Sequence, residues 1–341
     1  MRKKITKRKI TLLDVAKAAD VSAITVSRAL RHPASVSAKL RERIQHVVDD
    51  LGYVPDPAAS ALASARTNVV GVLIPSITNN VFAGVLRGIY MEAEKAGYGI
   101  QLGNTRYSML EEERLLRVFL SQRPAGLIVT GIDQSSAART QLLRADCPVV
   151  QIMEIGDKPI DMMVGFSHRD GASTATQHLV DCGYTRIAFL GARMDPRTQR
   201  RLEGFSQCLK QAGLFDQRLV VTTPKASTVT LGCELLSELL ARAPDADAVF
   251  CNNDDLALGV LFECQRRQIT VPTDMGICGF NDLEMMAVAN PAITSVRTFR
   301  EEMGREAMGS LLASIAGTVV EQPVIDLGYE LIKRQSTRSV K

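Results

Sequence analysis

The sequence predicts a two-part fold: a small all-α N-terminal unit with helix-turn-helix spacing, then an α/β body of two parallel-sheet subdomains. Three observations carry that expectation. Helical apolar spacing dominates residues 10–52, short apolar runs alternating with amphipathic segments take over from Asn68, and charge divides at about the same place. Residues 1–66 hold 13 Lys and Arg against 6 Asp and Glu, while the other 275 residues hold 28 against 31. A basic head on a mildly acidic body points to an anionic partner at the N-terminus.

Within the head, Thr11 is placed to cap a helix over Leu12 to about Ala19, with Asp14 completing a capping box. The short link "DVSA" leads to a second helix, Ala23 to Leu30. Ser37 caps a third, Ala38 to about Leu51, whose inward stripe is Leu40, Ile44, Val47 and Leu51. In the second helix, Val26 and Leu30 are spaced to face inward. Ile24 then lies roughly 160° around from Val26, at about 100° per residue, so a bare isoleucine faces away from the packing side. Gly52 ends the third helix, and "GYVPDPAASALASARTN" forms a linker in which the Ala/Ser run around Leu62 has the length of two helical turns. The expected domains are 1–52, a hinge at 53–67, and 68–341.

From Asn68 the segments "NVVGVLIPS", "GYGIQLGN", "GLIVTG", "PVVQIME", "DMMVGF", "RIAFLG", "RLVVTT", "AVFCNN" and "MGICGF" read as buried strands with helices between most of them. Nine strand–helix units exceed the usual size of one sheet, hence two subdomains. Ligands of such folds bind beyond the carboxyl ends of the strands.

Composition excludes several classes of function. An apolar content of 46% with 23% charge is that of a folded globular chain, and no run of eighteen apolar residues can span a membrane. The basic start "MRKKITKRKI" leads into a patterned helix instead of an apolar signal core, so the expected location is the cytoplasm. Seven cysteines without a C-x-x-C pair and four scattered histidines give no metal-binding pattern. No dinucleotide loop, phosphate loop, H-E-x-x-H or G-x-S-x-G occurs, so neither catalytic residues nor a cofactor is expected.

"TLLDVAKAADVSAITVSRAL" and "VSAKLRERIQHVVDDLGYVPDPAASALA" resemble the DNA-binding head and hinge of the lactose-repressor family of bacterial transcription regulators. "GVLIPSITNNVFAGVLRGI", "CNNDDLALG" and "VPTDMGICGFND" resemble that family's core motifs, in the family's order along nearly the whole chain. "PSITNNVFAGVLRGI", "FLGARMDPRT" and "VFCNNDDLALGVLFECQR" are similar, more narrowly, to its gluconate-utilisation repressors. The resemblance implies a core like periplasmic sugar-binding proteins, a homodimer, and two heads on a palindromic double-stranded DNA operator.

It further implies that Ala23 and Ile24 read base edges in the major groove, where isoleucine packs on thymine methyls but makes no bidentate hydrogen bond. Arg28, one turn on, is the candidate for a guanine contact. Thr11, Ser22, Thr25 and Ser27 suit phosphates, Leu12 belongs to the same surface, and Leu62 matches the minor-groove wedge. The implied effector pocket comprises Ser76, Asn79, Phe82, Thr130, Ser167, Arg197, Arg201, Asn253 and Asn281. Ser167 and Asn281 stand where many sugar-binding members carry an acid. With Arg193, Arg197, Arg200 and Arg201 nearby, of which two are expected on a solvated face, these neutral groups suggest an anionic sugar acid. Asp282 is a candidate to take over the acid's role. The expected function is a repressor released by that acid. A corepressor-type regulator and a sugar-acid enzyme with an accessory helical head are the alternatives.

Overall fold

The structure, a computed structural model, describes residues 10–31, 35–54 and 67–338. The chain divides into two compact units between Thr67 and Asn68. In the first, helices α1 (Leu12–Ala18), α2 (Ala23–Arg31) and α3 (Ala38–Leu51) surround a core of Val15, Val26, Ile44 and Val48. The α1 capping box forms: the Thr11 amide donates to Asp14 Oδ2 at 2.9 Å and the Asp14 amide to Thr11 Oγ1 at 3.4 Å. Ser37 stands at the α3 N-cap without a side-chain hydrogen bond, and Gly52 closes the helix in the left-handed region at φ 60°. The inward stripe of α3 turns slightly from the expected one. Val48 is buried and Val47 only half-buried, because the stripe follows 3.6 residues per turn. Leu62 and the rest of residues 55–66 lie outside the described residues.

The second unit holds two six-stranded sheets, ordered β11-β5-β4-β3-β1-β2 and β12-β10-β9-β8-β6-β7. The first uses β1 (Val69–Ile74), β2 (Gly99–Asn104), β3 (Gly126–Thr130), β4 (Val149–Ile152), β5 (Met162–Gly165) and β11 (Val324–Asp326). The second uses β6 (Ile187–Ala192), β7 (Val220–Thr223), β8 (Ala248–Cys251), β9 (Gly276–Asn281), β10 (Thr294–Thr298) and β12 (Tyr329–Ile332). All nine expected strands form. Every pairing is parallel except β10 with β12, in which Val296 faces Leu331. The strands are near-continuous apolar runs because helices cover both faces.

Each sheet with its helices is one lobe, and the chain passes between lobes after β5, after β10 and between β11 and β12. In the first lobe the helices Asn80–Lys95 and Arg300–Ile315 pack with backbones almost touching. A Cβ on Gly88 would stand 2.1 Å from the Glu301 carbonyl oxygen, and one on Gly304 2.0 Å from that of Val85. The helices His168–Asp181 and Pro196–Gln211 of the second lobe meet as closely at Gly204. These rigid pairs fix where the helix N-termini, and the side chains on them, face the cleft between lobes.

Candidate functional site

In the head, α2 presents what its sequence pattern requires. Val26 is 0% exposed, whereas Ile24, two residues earlier, is 71% exposed. Ser22 caps the helix, its Oγ accepting from the Thr25 amide at 3.1 Å and lying 2.8 Å from Thr25 Oγ1. Ser22 and Arg28 are exposed, and Ala23, Thr25 and Ser27 are half-buried on the rim of that face. Thr11 is exposed too, with its hydroxyl 2.7 Å from Asp14 Oδ2. Leu12 instead packs against the head's core, and its neighbour Leu13, which sequence reasoning passed over, is 70% exposed. Of the eight DNA-facing candidates among the described residues, Thr11, Ser22, Ile24 and Arg28 are thus exposed and Ala23, Thr25 and Ser27 partly so, with Ile24 the one large apolar side chain that α2 exposes. Such a surface offers hydroxyls and one guanidinium for phosphate and base edges, and a branched alkyl group for a thymine methyl.

In the core, a cavity of about 50 Å³ opens between the lobes. The first lobe contributes Asn79, Phe82 and Tyr107, and the second Arg193, Arg197 and Arg201 together with Asn253 and Asn281. Asn79 caps its helix by accepting from the Val81 amide at 3.0 Å and donates through Nδ2 to the Tyr107 hydroxyl at 3.3 Å. Asn253 caps the helix Asp254–Arg266, its Oδ1 receiving the Leu256 amide and, at 2.8 Å, the Ser227 hydroxyl. Asn281 ends β9 at φ 110° and is buried, with an Oδ1 that has no hydrogen-bond partner. Asparagine tolerates that backbone region better than most residues. A buried acceptor at the cavity wall is a ready partner for a ligand hydroxyl.

The arginines divide by partner. Asp195, the N-cap of Pro196–Gln211, accepts from Arg197 Nη2 at 2.8 Å. Burial opposes ionisation of Asp195, but the Arg197 charge and the Thr198 amide outweigh it and hold the carboxyl at about 2. Arg200 turns to Asp133. Arg193 lies over the Tyr107 ring, 3.9 Å from its centroid, which puts it in cation–π range. Arg201 is 6% exposed and points its N–H groups at neutral acceptors: His168 Nδ1 at 3.0–3.1 Å and the Asn252 carbonyl. Its guanidinium also covers the Phe280 ring at 3.8 Å. Among the described residues no carboxylate reaches ion-pair distance of Arg193 or Arg201. Burial consequently lowers Arg201 to about 10. His168 is driven well below its usual value, first by burial and then by the Arg201 charge, so it is neutral with Nδ1 accepting and Nε2 donating to the Met153 carbonyl at 2.7 Å. None of the four arginines is simply solvated, contrary to the expectation that two would be.

Three expected pocket residues lie elsewhere. Ser167 caps the helix His168–Asp181 by accepting from the Asp170 amide at 3.1 Å. Ser76 forms a turn with Thr78 and Asn79. Thr130 lines a neighbouring chamber of about 110 Å³, beyond Tyr107 and Arg197, with Thr105, Ser108 and Glu112. Asp282, the candidate for the acid's role, does not line the cavity. It turns away to Arg334 at 2.7 Å and Arg297 at 2.9 Å. Sequence reasoning missed Tyr107, Ser227 and Asp195; only Asp195 carries a local signal, an acidic N-cap before a proline. Among the described residues no cluster of His, Cys, Asp and Glu could hold a metal, and no helix is long and apolar enough to cross a membrane.

The family model described as bacterial regulatory proteins, lacI family, matches residues 11–56, and a periplasmic binding protein-like domain matches residues 176–337. The chain is similar to the HTH-type transcriptional regulator GntR of Pseudomonas aeruginosa, at 42% identity over 96% of this chain and 95% of that protein. It is similar to GntR of Escherichia coli strain K12 at 39% over 95% and 98%. Among solved structures, a LacI-family transcriptional regulator from Silicibacter pomeroyi superposes with TM-score 0.91 at 35% identity, covering 97% of this chain and all of that one. The transcription regulator GntR from Chromobacterium violaceum gives 0.77 at 39%, covering 79% and 99%.

Proposed function

Because the chain belongs to the lacI family of bacterial regulatory proteins, and is thus a DNA-binding transcriptional regulator and not an enzyme, we propose that it represses sugar-acid catabolic genes of the gluconate type and is released by the acid itself. One observation carries this reading. Arg201 is buried at the cavity with neutral hydrogen-bond acceptors only, beside an Arg193 held by an aromatic ring, so two guanidiniums at the cleft have no ion-pair partner among the described residues. A buried charge without a counter-ion is costly, and a ligand carboxylate binding there relieves the cost. Asn281 is neutral where an acid would repel that carboxylate, and its unpartnered oxygen suits a ligand hydroxyl.

In the mechanism, the protein works in the cytoplasm as a homodimer, with two heads on the half-sites of a palindromic operator. Ile24 and Ala23 face base edges, Arg28 a guanine, and the hydroxyls of Thr11, Ser22, Thr25 and Ser27 the phosphates. A sugar acid draws the lobes together on its carboxylate, and that rearrangement in both protomers weakens the paired grip on DNA. A coupling of about 1–3 kcal/mol, usual for such regulators, gives roughly 5–150-fold weaker operator binding. The test is fluorescence anisotropy of an operator duplex, selected from random sequence by the full-length protein, titrated with gluconate and related aldonates. Release at saturating acid supports the reading. Acids that bind the core and leave operator affinity unchanged overturn it, and tightening assigns the opposite sign.

A further inference from the structure

The cleft is bridged by charges that do not line the effector cavity. Arg200 extends from Pro196–Gln211 in the second lobe and meets Asp133, just after β3 in the first, through both nitrogens of its fork. Nη1 donates to Oδ2 at 2.8 Å and Nη2 to Oδ1 at 2.6 Å. Its Nε lies 3.5 Å from Oε2 of Glu154, which follows β4 in the first lobe and is 3% exposed. That oxygen has no hydrogen bond, so Arg200 is the charge that answers it. Arg200 is the neighbour of Arg201, one lining the cavity and the other clasping the opposite lobe, and at adjacent helix positions the two side chains point about 100° apart.

From this geometry we propose that Arg200 and Asp133 are positioning residues that set the closed fraction of the cleft, and through it effector affinity, without touching the effector. The physical case is one of balance. Closure gathers the charges of Arg193 and Arg201 around a small volume, which opposes closing when no anion is bound. The Arg200–Asp133 fork favours closing. A bidentate pair partly withdrawn from water is stronger than an exposed one, and when the lobes separate both partners return to solvent. Apparent affinity scales with the fraction of molecules already competent to bind, so any loss of the closed form appears as a raised Kd.

The proposal rests on the sugar-acid reading for one arm of its test and is independent of it for the other. The chain has no tryptophan, so Tyr107→Trp places a single indole under Arg193 at the lobe junction. In the full-length, ligand-free protein carrying that reporter, Asp133→Asn raises acrylamide quenching about twofold or more. The same change made on top of Arg200→Gln adds little. In the second arm, Asp133→Asn in the native background raises the Kd for gluconate roughly tenfold and less than twofold when Arg200→Gln is already present. Arg200→Lys, which keeps the charge near Glu154 and loses the fork, falls between. Unchanged quenching in Asp133→Asn, or effects that simply add in the double variant, overturns the clasp. If gluconate and its relatives fail to bind at all, the proposed effector class falls while the quenching arm still decides this one.

Discussion

Ile24 offers a sharp separation of recognition from folding, because Val26 on the same helix provides an internal control. Replacing Ile24 with Ala removes three carbons from a side chain that is 71% exposed and makes little contact within the head. At about 0.8 kcal/mol per carbon, full dehydration against thymine methyls would be worth at most ~2.4 kcal/mol in each head. A groove contact that covers half of the side chain leaves about 1.2 kcal/mol per head. Two heads then lose ~2.4 kcal/mol, or roughly fifty-fold in operator affinity. Binding to random duplex rests on phosphate neutralisation and stays unchanged, with the same salt slope. Unfolding in urea shifts by no more than about 0.5 kcal/mol, as for other exposed substitutions. Val26→Ala behaves oppositely: a fully buried side chain is lost, the head is destabilised by about 2–3 kcal/mol, and operator binding falls only as far as the head unfolds. Anisotropy with selected and random duplexes, beside urea denaturation, reads all four quantities. The reasoning fails if Ile24→Ala weakens both duplexes equally, or if it destabilises the head as Val26→Ala does.

Arg201→Met removes the buried cation and keeps most of its volume. Gluconate affinity should fall at least about thirtyfold, as when one member of a buried ion pair is removed, and the ligand-free melting temperature falls as well because His168 Nδ1 and the Asn252 carbonyl lose their donor; unchanged affinity in calorimetry removes Arg201 as the anion's partner. Burial raises the Glu154 carboxyl to about 7 from a usual 4.5. Its protonated form is therefore favoured in the fold, and the stability it contributes is complete below pH 4.5 and lost as pH rises to 7. Glu154→Gln does not titrate, so its stability relative to the natural protein should rise by up to about 3 kcal/mol between pH 4.5 and pH 8 in urea titrations, and a flat difference refutes the burial argument. Gly204→Ala would bring a methyl to 2.1 Å from the Arg169 carbonyl oxygen and should destabilise the core by about 2 kcal/mol or more. Gly309→Ala, with open space around the new methyl, should stabilise it by about 0.5–1 kcal/mol, and like signs for the two would contradict the helix packing.

The head was legible almost residue by residue because its signals are local. The Thr11–Asp14 box, the Gly52 stop and the Ile24/Val26 opposition each lie within one or two turns of chain. Of the core, nine strands announced themselves as apolar runs, and β10, β11 and β12 did not. "TSVRT" mixes polar and apolar residues because β10 meets the antiparallel β12 near the sheet edge, and "VID" and "YELI" are too short to show a period. The candidate pocket divided along the same line. Asn79, Phe82, Arg197, Asn253 and Asn281 sit at strand ends or first helical turns, and Arg201 one turn after Arg197, where position in the motif is position in space. Ser167 has an equivalent place but hydrogen-bonds its own helix, a competition between local backbone and ligand that spacing cannot settle. Tyr107 reaches the cavity from a turn with φ 57°, and nothing within ten residues of it signals the arginines it meets.

The charges of the cleft make sense only when acids and arginines are counted together. Asp282 is one residue from the cavity wall, yet it pairs with Arg297 and Arg334. Asp195 does line the cavity, but its helix places it two residues before Arg197, which neutralises it locally. Asp133 faces the cleft and is claimed by Arg200. Each of these three carboxylates is thus paired with an arginine, and Arg193 and Arg201, which have no ion-pair partner among the described residues, stand closest over an aromatic ring, at 3.9 and 3.8 Å from its centroid against 5.7 Å for Arg197. A ring face attracts a cation without neutralising it, so these two keep their charge for an incoming anion while their orientation is already fixed. Preorganised cations without an ion-pair partner, beside a neutral Asn281, suit the carboxylate-bearing polyol proposed above better than a neutral sugar.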